Sequence, residues 1–275
     1  MQQVHRYSGQ SVRFFEFKPS KFLAFGKFRI PTRLPGPVRL RTLGPLLGIL
    51  LAAFGAYQGM ILFQVIGLRR QNPDITAFIK LRGQEVAARG KVFRPQMVWV
   101  PYDSISPDLC KAIVFEEDPR FLRHPGFDPK AIWRAAKIDW KARRLLQGGS
   151  TLDQQLAKNL FFSPVKNPLR KIQEIIVAME METFLSKRRI IEIYLNVIEW
   201  GDGIYGVEAA SQHYFRTSAS LLNVKQAAYL TAIIPGPRGQ YNPLEYPQRV
   251  EIRAKEIVED LERSAETRAN LDINR

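Results

Sequence analysis

Twenty-six consecutive residues, Leu43 to Leu68, carry no charge, and this stretch limits more than any other what the chain can become. A bilayer core takes about 20 apolar residues as helix, so the stretch is long enough to span it with some tilt. Buried helices of soluble proteins are rarely so long and so free of charge. A cleaved signal peptide has an apolar region of about 7–15 residues near its start; here forty-two residues come first. The sequence therefore predicts a permanent anchor at 43–68.

The flanks orient it. Residues 1–42 hold nine Lys/Arg against the single acid Glu16. Arg69 and Arg70 follow the anchor at once, but the longer basic flank is N-terminal. Positive charge stays on the cytoplasmic side, so 1–42 is expected inside and 69–275 outside. Six phenylalanines between Phe14 and Phe28 interleave with the tail's basic residues. They suit an anionic headgroup layer, and a tail without fixed contacts explains them equally well.

The net charge of +15 then divides in two. The tail carries +8, and 32 Lys/Arg against 25 Asp/Glu leave +7 on the outer part. So basic a chain invites a nucleic-acid reading, but half the excess is a topology signal and no DNA- or RNA-binding motif is present. Acidic lipids or a pyrophosphate are better partners, and no nucleic acid is expected. Cys110 is the only cysteine, which excludes an intramolecular disulfide, and His5, His124 and His213 have no metal-ligand spacing.

Residues 69–97 read as a connector whose last residues begin a short extended run, Gln96 to Val100. Helical periodicity dominates from Ser106: Leu109, Ile113 and Phe115; Ile132, Ala135, Ala136 and Trp140; Leu169, Ile172, Ile176 and Met179. Ser186 is placed to cap another helix, Gln226–Ile234 is helical until Pro235 stops it, and Pro247–Leu261 is amphipathic and charge-rich, with a fraying tail after it. The expected fold class is mainly α.

Four segments carry candidate chemistry. The first runs from Glu116-Glu117-Asp118 through Arg120, Phe121, His124 and Gly126 to Asp128, with Asp128-Pro129 placed to start a helix. An acidic pair at a helix end is by itself usually a solvated terminus. The second, Gly148-Gly149-Ser150-Thr151 followed by Gln154, Gln155, Lys158 and Asn159, is a flexible turn into a helix start that suits an anion. An ordinary glycine loop with a capped helix reads the same. In the third, Arg170-Lys171-x-x-Glu174, the first and last residues share a helix face; the bland reading is a surface salt bridge worth little. That segment leads to Tyr194-Leu195-Asn196, and the fourth holds Gly201, Gly203 and Gly206 with Tyr241-Asn242-Pro243 further on.

In this order and spacing, over about Val98 to Pro243, the segments resemble the glycosyltransferase domain of the peptidoglycan polymerases, which also forms the front of bifunctional penicillin-binding proteins. Anchor followed directly by domain looks like the family's monofunctional form. The departures are Pro119 inside the first motif and Asp153 where the family often has Thr. Ser163-Pro-Val-Lys166 spells the penicillin-binding Ser-x-x-Lys, but no Lys-Thr-Gly follows, so no transpeptidase activity is expected.

The resemblance implies a lysozyme-like domain at 98–262 with a small membrane-facing lobe, and a C-terminal tail at 263–275. It implies polymerisation of lipid II on the outer face of the inner membrane, with the growing glycan strand as donor and division or elongation proteins as further partners. Glu117 falls on the family's catalytic base. Glu174 falls on a second functional carboxylate near the donor pyrophosphate, acting there through a divalent cation, Mg or Mn. Arg120, Arg134, Lys158, Lys166 and Arg170 would supply phosphate-binding charge, and Ser150, Thr151, Gln154 and Gln155 substrate contacts. Asp118, His124 and Gly126 would shape the loop. Leu160-Phe161-Phe162 would dip into the bilayer or fill the core. A lytic enzyme on the same fold would share the glutamate without needing the cations, and an inactive anchored scaffold would need none of these residues.

Overall fold

The computed structural model describes residues 40–142, 149–163 and 168–273. The chain divides into two compact units, residues 1–60 and 61–275. In the first, the described residues form the start of helix α1 (Leu40–Gly67). Its stretch Gly44–Gly67 is long and apolar enough to cross a membrane, with a mean hydropathy of 1.9 and only 6% of it buried. Leu46, Leu47, Ile49, Leu50 and Phe54 are exposed. That fits a helix solvated by lipid rather than packed as a core helix. The basic tail read from the sequence lies outside the described residues, apart from the first turn of α1.

The second unit is mainly helical. Its helices are α2 (Ala77–Ala88), α3 (Pro107–Glu117), α4 (Pro129–Ala142), α5 (Leu152–Phe161), α6 (Pro168–Phe184), α7 (Lys187–Val197), α8 (Val207–Phe215), α9 (Val224–Ile233) and α10 (Pro247–Ile273). Side chains set most of the starts. Ser106 caps α3 with Pro107 just inside, Ser186 caps α7, and Thr151 with Gln154 and Asn223 with Gln226 form capping boxes on α5 and α9. The helix α3 packs on α9, which packs on α10, while α5 packs on α6 and α7. Trp200, Tyr194, Phe121, Leu109, Ile113, Leu152, Leu156 and Met181 fill the core between them.

The connector is more ordered than its sequence suggests. It contains α2, capped by Thr76, and its extended run shortens to β1 (Gln96–Met97). β1 lies parallel to β3 (Ile204–Tyr205), which pairs antiparallel with β2 (Glu199–Gly201). Asn196 of the Tyr-Leu-Asn segment holds the following residues: its carboxamide accepts from Val100 N–H at 2.9 Å and donates to Val100 C=O at 2.9 Å. The C-terminal helix continues to Ile273, where fraying was expected beyond Leu261. Leu160 and Phe162 are core residues, so the bilayer role allowed for them is not supported.

Gly126 closes the loop after α3 at φ +91°, and a Cβ there would lie 2.6 Å from the carbonyl oxygen of Ala178 in α6. Both the backbone angle and the contact require glycine. Gly126→Ala is expected to destabilise the protein by about 3 kcal/mol in urea denaturation.

Candidate active site

Glu117 is the last residue of α3, and three elements meet around it. Its Oε2 accepts a hydrogen bond at 2.8 Å from the Gln155 amide of α5, and the Gln155 Oε1 accepts one at 3.0 Å from the Tyr194 hydroxyl of α7. Burial raises the Glu117 pKa above the ordinary glutamate value; the Gln155 bond, Arg253 and Lys158 pull it back, and Asp118 pushes it up. A carboxylate desolvated in this way is a stronger base than one in water.

The second carboxylate is more deeply enclosed. Glu174 is buried on α6, 2.9 Å from Arg170 Nε and 3.1 Å from Lys171 Nζ, and Lys171 also donates to Ser150 Oγ at 2.6 Å. Lys158 joins from α5. Burial lowers its ammonium pKa and Glu174 raises it, Arg170 and Lys171 lower it, and Glu117 raises it. Three cations thus surround one carboxylate, and the excess positive charge is arranged for an anion with several oxygens. The same set does not fit a resident Mg or Mn. Both Glu174 oxygens are already paired with cations, and hard divalent ions are held by several oxygen ligands.

Glu117, Arg120, Arg134 and Ser150 line one cleft, floored by Gly149. A Cβ on Gly149 would lie 3.0 Å from the Ile132 Cα of α4, which is why this loop carries glycine. Arg120 is held by Asp128 at 3.1 Å. Lys166 lies outside the described residues.

A glutamate with a raised pKa beside a cationic cluster is the arrangement a glycosyl transfer from a pyrophosphate requires. The transglycosylase family matches residues 83–262. The chain belongs to that family. Among curated proteins it is similar to the biosynthetic peptidoglycan transglycosylase of Nitrosomonas eutropha, 47% identical over 210 residues, covering 76% of this chain and 86% of the relative. The protein of that name from Methylobacillus flagellatus is 43% identical over 223 residues, covering 81% and 96%.

Several sequence expectations for this transglycosylase change on geometry. The α5 N-terminus, read as open to a substrate anion, is taken by Asp118, whose Oδ2 accepts from Leu152 N–H at 3.1 Å and meets His124 Nε2 at 2.8 Å. Thr151 and Gln154 are buried and engaged in the capping box, with the Thr151 hydroxyl also donating to Gly126 C=O at 2.7 Å. Those bonds position the loop, and Thr151 also lines the cleft beside Glu117 and Ser150. Gln155 faces Glu117, and Ser150 faces Lys171. Sequence reasoning passed over three groups. Lys171 and Tyr194 stand in the sequence only as members of the Arg-Lys-x-x-Glu and Tyr-Leu-Asn motifs. Arg253 was read as part of a charged helix face; it reaches Glu116 at 3.4 Å and lines a second, larger hollow with Tyr241 and Tyr246.

Asp153 is a fourth. It is fully buried, with Asp118 and His124 close by. Burial and the neighbouring Glu182, itself paired with Lys187, push its pKa up to about 9. Its ordinary value is 3.8, so the unfolded chain ionises first. The favourable contribution of the protonated acid is complete below pH ~4 and lost as pH rises toward ~9. Asp153→Asn keeps the shape and removes the ionisation. It is expected to raise the melting temperature at pH 8, with a smaller gain at pH 5.

Proposed function

We propose that this chain is a peptidoglycan glycosyltransferase that polymerises lipid II into β-1,4-linked glycan strands for cell wall biosynthesis. Glu117 takes the proton from the 4-hydroxyl of the incoming lipid II. That oxygen attacks the anomeric carbon of the donor strand from the face opposite its α-linked pyrophosphate, forming the new C–O bond. The bond from the anomeric carbon to the pyrophosphate oxygen breaks, and the charge leaves on undecaprenyl pyrophosphate. Lys158, Arg170 and Lys171 stabilise that charge where it develops. Glu174 holds two of these side chains in place and keeps the cluster from repelling itself.

The observation that carries this reading is the pairing of a desolvated glutamate with three partly exposed cations gathered around a buried carboxylate. A lytic enzyme needs the glutamate and has no use for the cations. Glu117→Gln is expected to lower lipid II polymerisation by at least about 100-fold with folding unchanged. Polymerisation at the wild-type rate would remove Glu117 as the base.

We further propose that the chain sits in the inner membrane with its N-terminus cytoplasmic and its catalytic domain periplasmic. The basic flank before α1 supports this orientation. The outer domain also has its own lipid-facing surface. On α4 the exposed Trp133 and Trp140 alternate with Lys130, Lys137 and Lys141, with Lys137 Nζ lying 5.2 Å from the Trp133 ring. Leu169 and Ile172 of α6 are also exposed. Aromatic rings among lysines suit a headgroup layer. In vesicles of brominated phospholipid the full-length protein should lose tryptophan emission, and Trp133→Phe with Trp140→Phe should abolish most of that loss. Unchanged quenching in the double variant would contradict this surface. The family resemblance also suggests division or elongation proteins as partners.

A further inference from the structure

The Tyr-Leu-Asn segment of α7 has one residue whose job is clear: Asn196 clamps Val100. Tyr194 is different. It is 1% exposed, and burial together with the nearby Glu117 raises its phenol pKa well above 10, so the hydroxyl stays protonated. A buried phenol needs a partner for its O–H, and among the described residues that partner is Gln155 Oε1 at 3.0 Å. No substrate can reach a side chain so enclosed.

A primary amide has a donor end and an acceptor end of nearly the same shape. Beside a carboxylate the choice between them decides whether Glu117 meets an N–H or another oxygen. Gln155 Nε2 donates to Glu117 Oε2 at 2.8 Å only while its Oε1 faces the other way. We propose that Tyr194 is a positioning residue for the base: by donating to Gln155 Oε1 it fixes the amide so that its donor end points at Glu117. This rests on Glu117 being the base. The order Tyr194, Gln155, Glu117 forms a one-way chain of donors that ends on the carboxylate. Burial raises the base, and the oriented amide limits how far it rises and fixes the direction in which its oxygens point.

Tyr194→Phe removes the hydroxyl and keeps the ring. The amide is then free to turn, and Glu117 loses its steady donor. The tests are a double-mutant cycle with Gln155→Ala and the pH dependence of kcat/KM for lipid II polymerisation by the full-length proteins. Tyr194→Phe should lower kcat/KM by about 10-fold, a loss of one hydrogen bond, mainly through kcat with KM little changed. The acid limb of the profile should move upward by about half a pH unit or more. Adding Tyr194→Phe to Gln155→Ala should cost little more than Gln155→Ala alone, because Tyr194 acts through that amide. Additive losses, or a loss of rate with the acid limb unmoved, would reduce Tyr194 to a packing residue and overturn the proposal. Loss of activity in Glu117→Gln, measured beside them, keeps this outcome separate from a failure of the base assignment itself.

Discussion

The site depends on the joint between the end of α3 and the start of α5, where the Asp118 carboxylate accepts the Leu152 N–H and pairs with His124. Two adjacent acids have opposite surroundings. Asp118 is buried at the start of α5, where it accepts the Leu152 N–H and meets His124, while Glu117 lines the cleft with one amide donor. Because Asp118 is tied down, Glu117 is presented, and Gln155 one turn into α5 is brought within reach of it. Thr151, Gly126 and Asp128 tighten the same joint from the loop side.

Burial and charge then divide the work. Desolvation raises Glu117, and Arg253 and Lys158 limit the rise without forming a tight ion pair that would quench a base. Around Glu174 the balance is reversed. Arg170 and Lys171 are held by the carboxylate and Lys158 lies near it, so the group as a whole keeps net positive charge, which is what the proposed pyrophosphate site needs. A carboxylate in the middle of the cations lowers the cost of assembling them before substrate arrives.

Much of this was legible in the sequence. An uncharged run of 26 residues can do few things, and Leu40–Gly67 forms one helix. Glu117, Glu174, Lys158 and Arg170 stand in short motifs whose resemblance to the family singles them out, and the fold brings Lys158 and Arg170 to Glu174. What could not be read was the assignment of each polar group to a partner. Thr151 and Gln154 look the same in sequence whether they cap a helix or bind a sugar. Asp153 looked harmless because burial is not written in residue type, and Tyr194 acts on Glu117 through Gln155 and Arg253 through its charge, from 77 and 136 positions away in the chain. The connector hid α2 because its helix has only a weak apolar face and depends on packing against α5.

The central claim is that Glu117 is a base made by desolvation in a fixed frame of amide and cations. The carboxyl resonances of glutamate-labelled protein, followed by carbon NMR against pH with Glu117→Gln to identify the signal, test it most directly. Glu117 should titrate above 4.5, the ordinary glutamate value. A midpoint at or below that value would contradict the account.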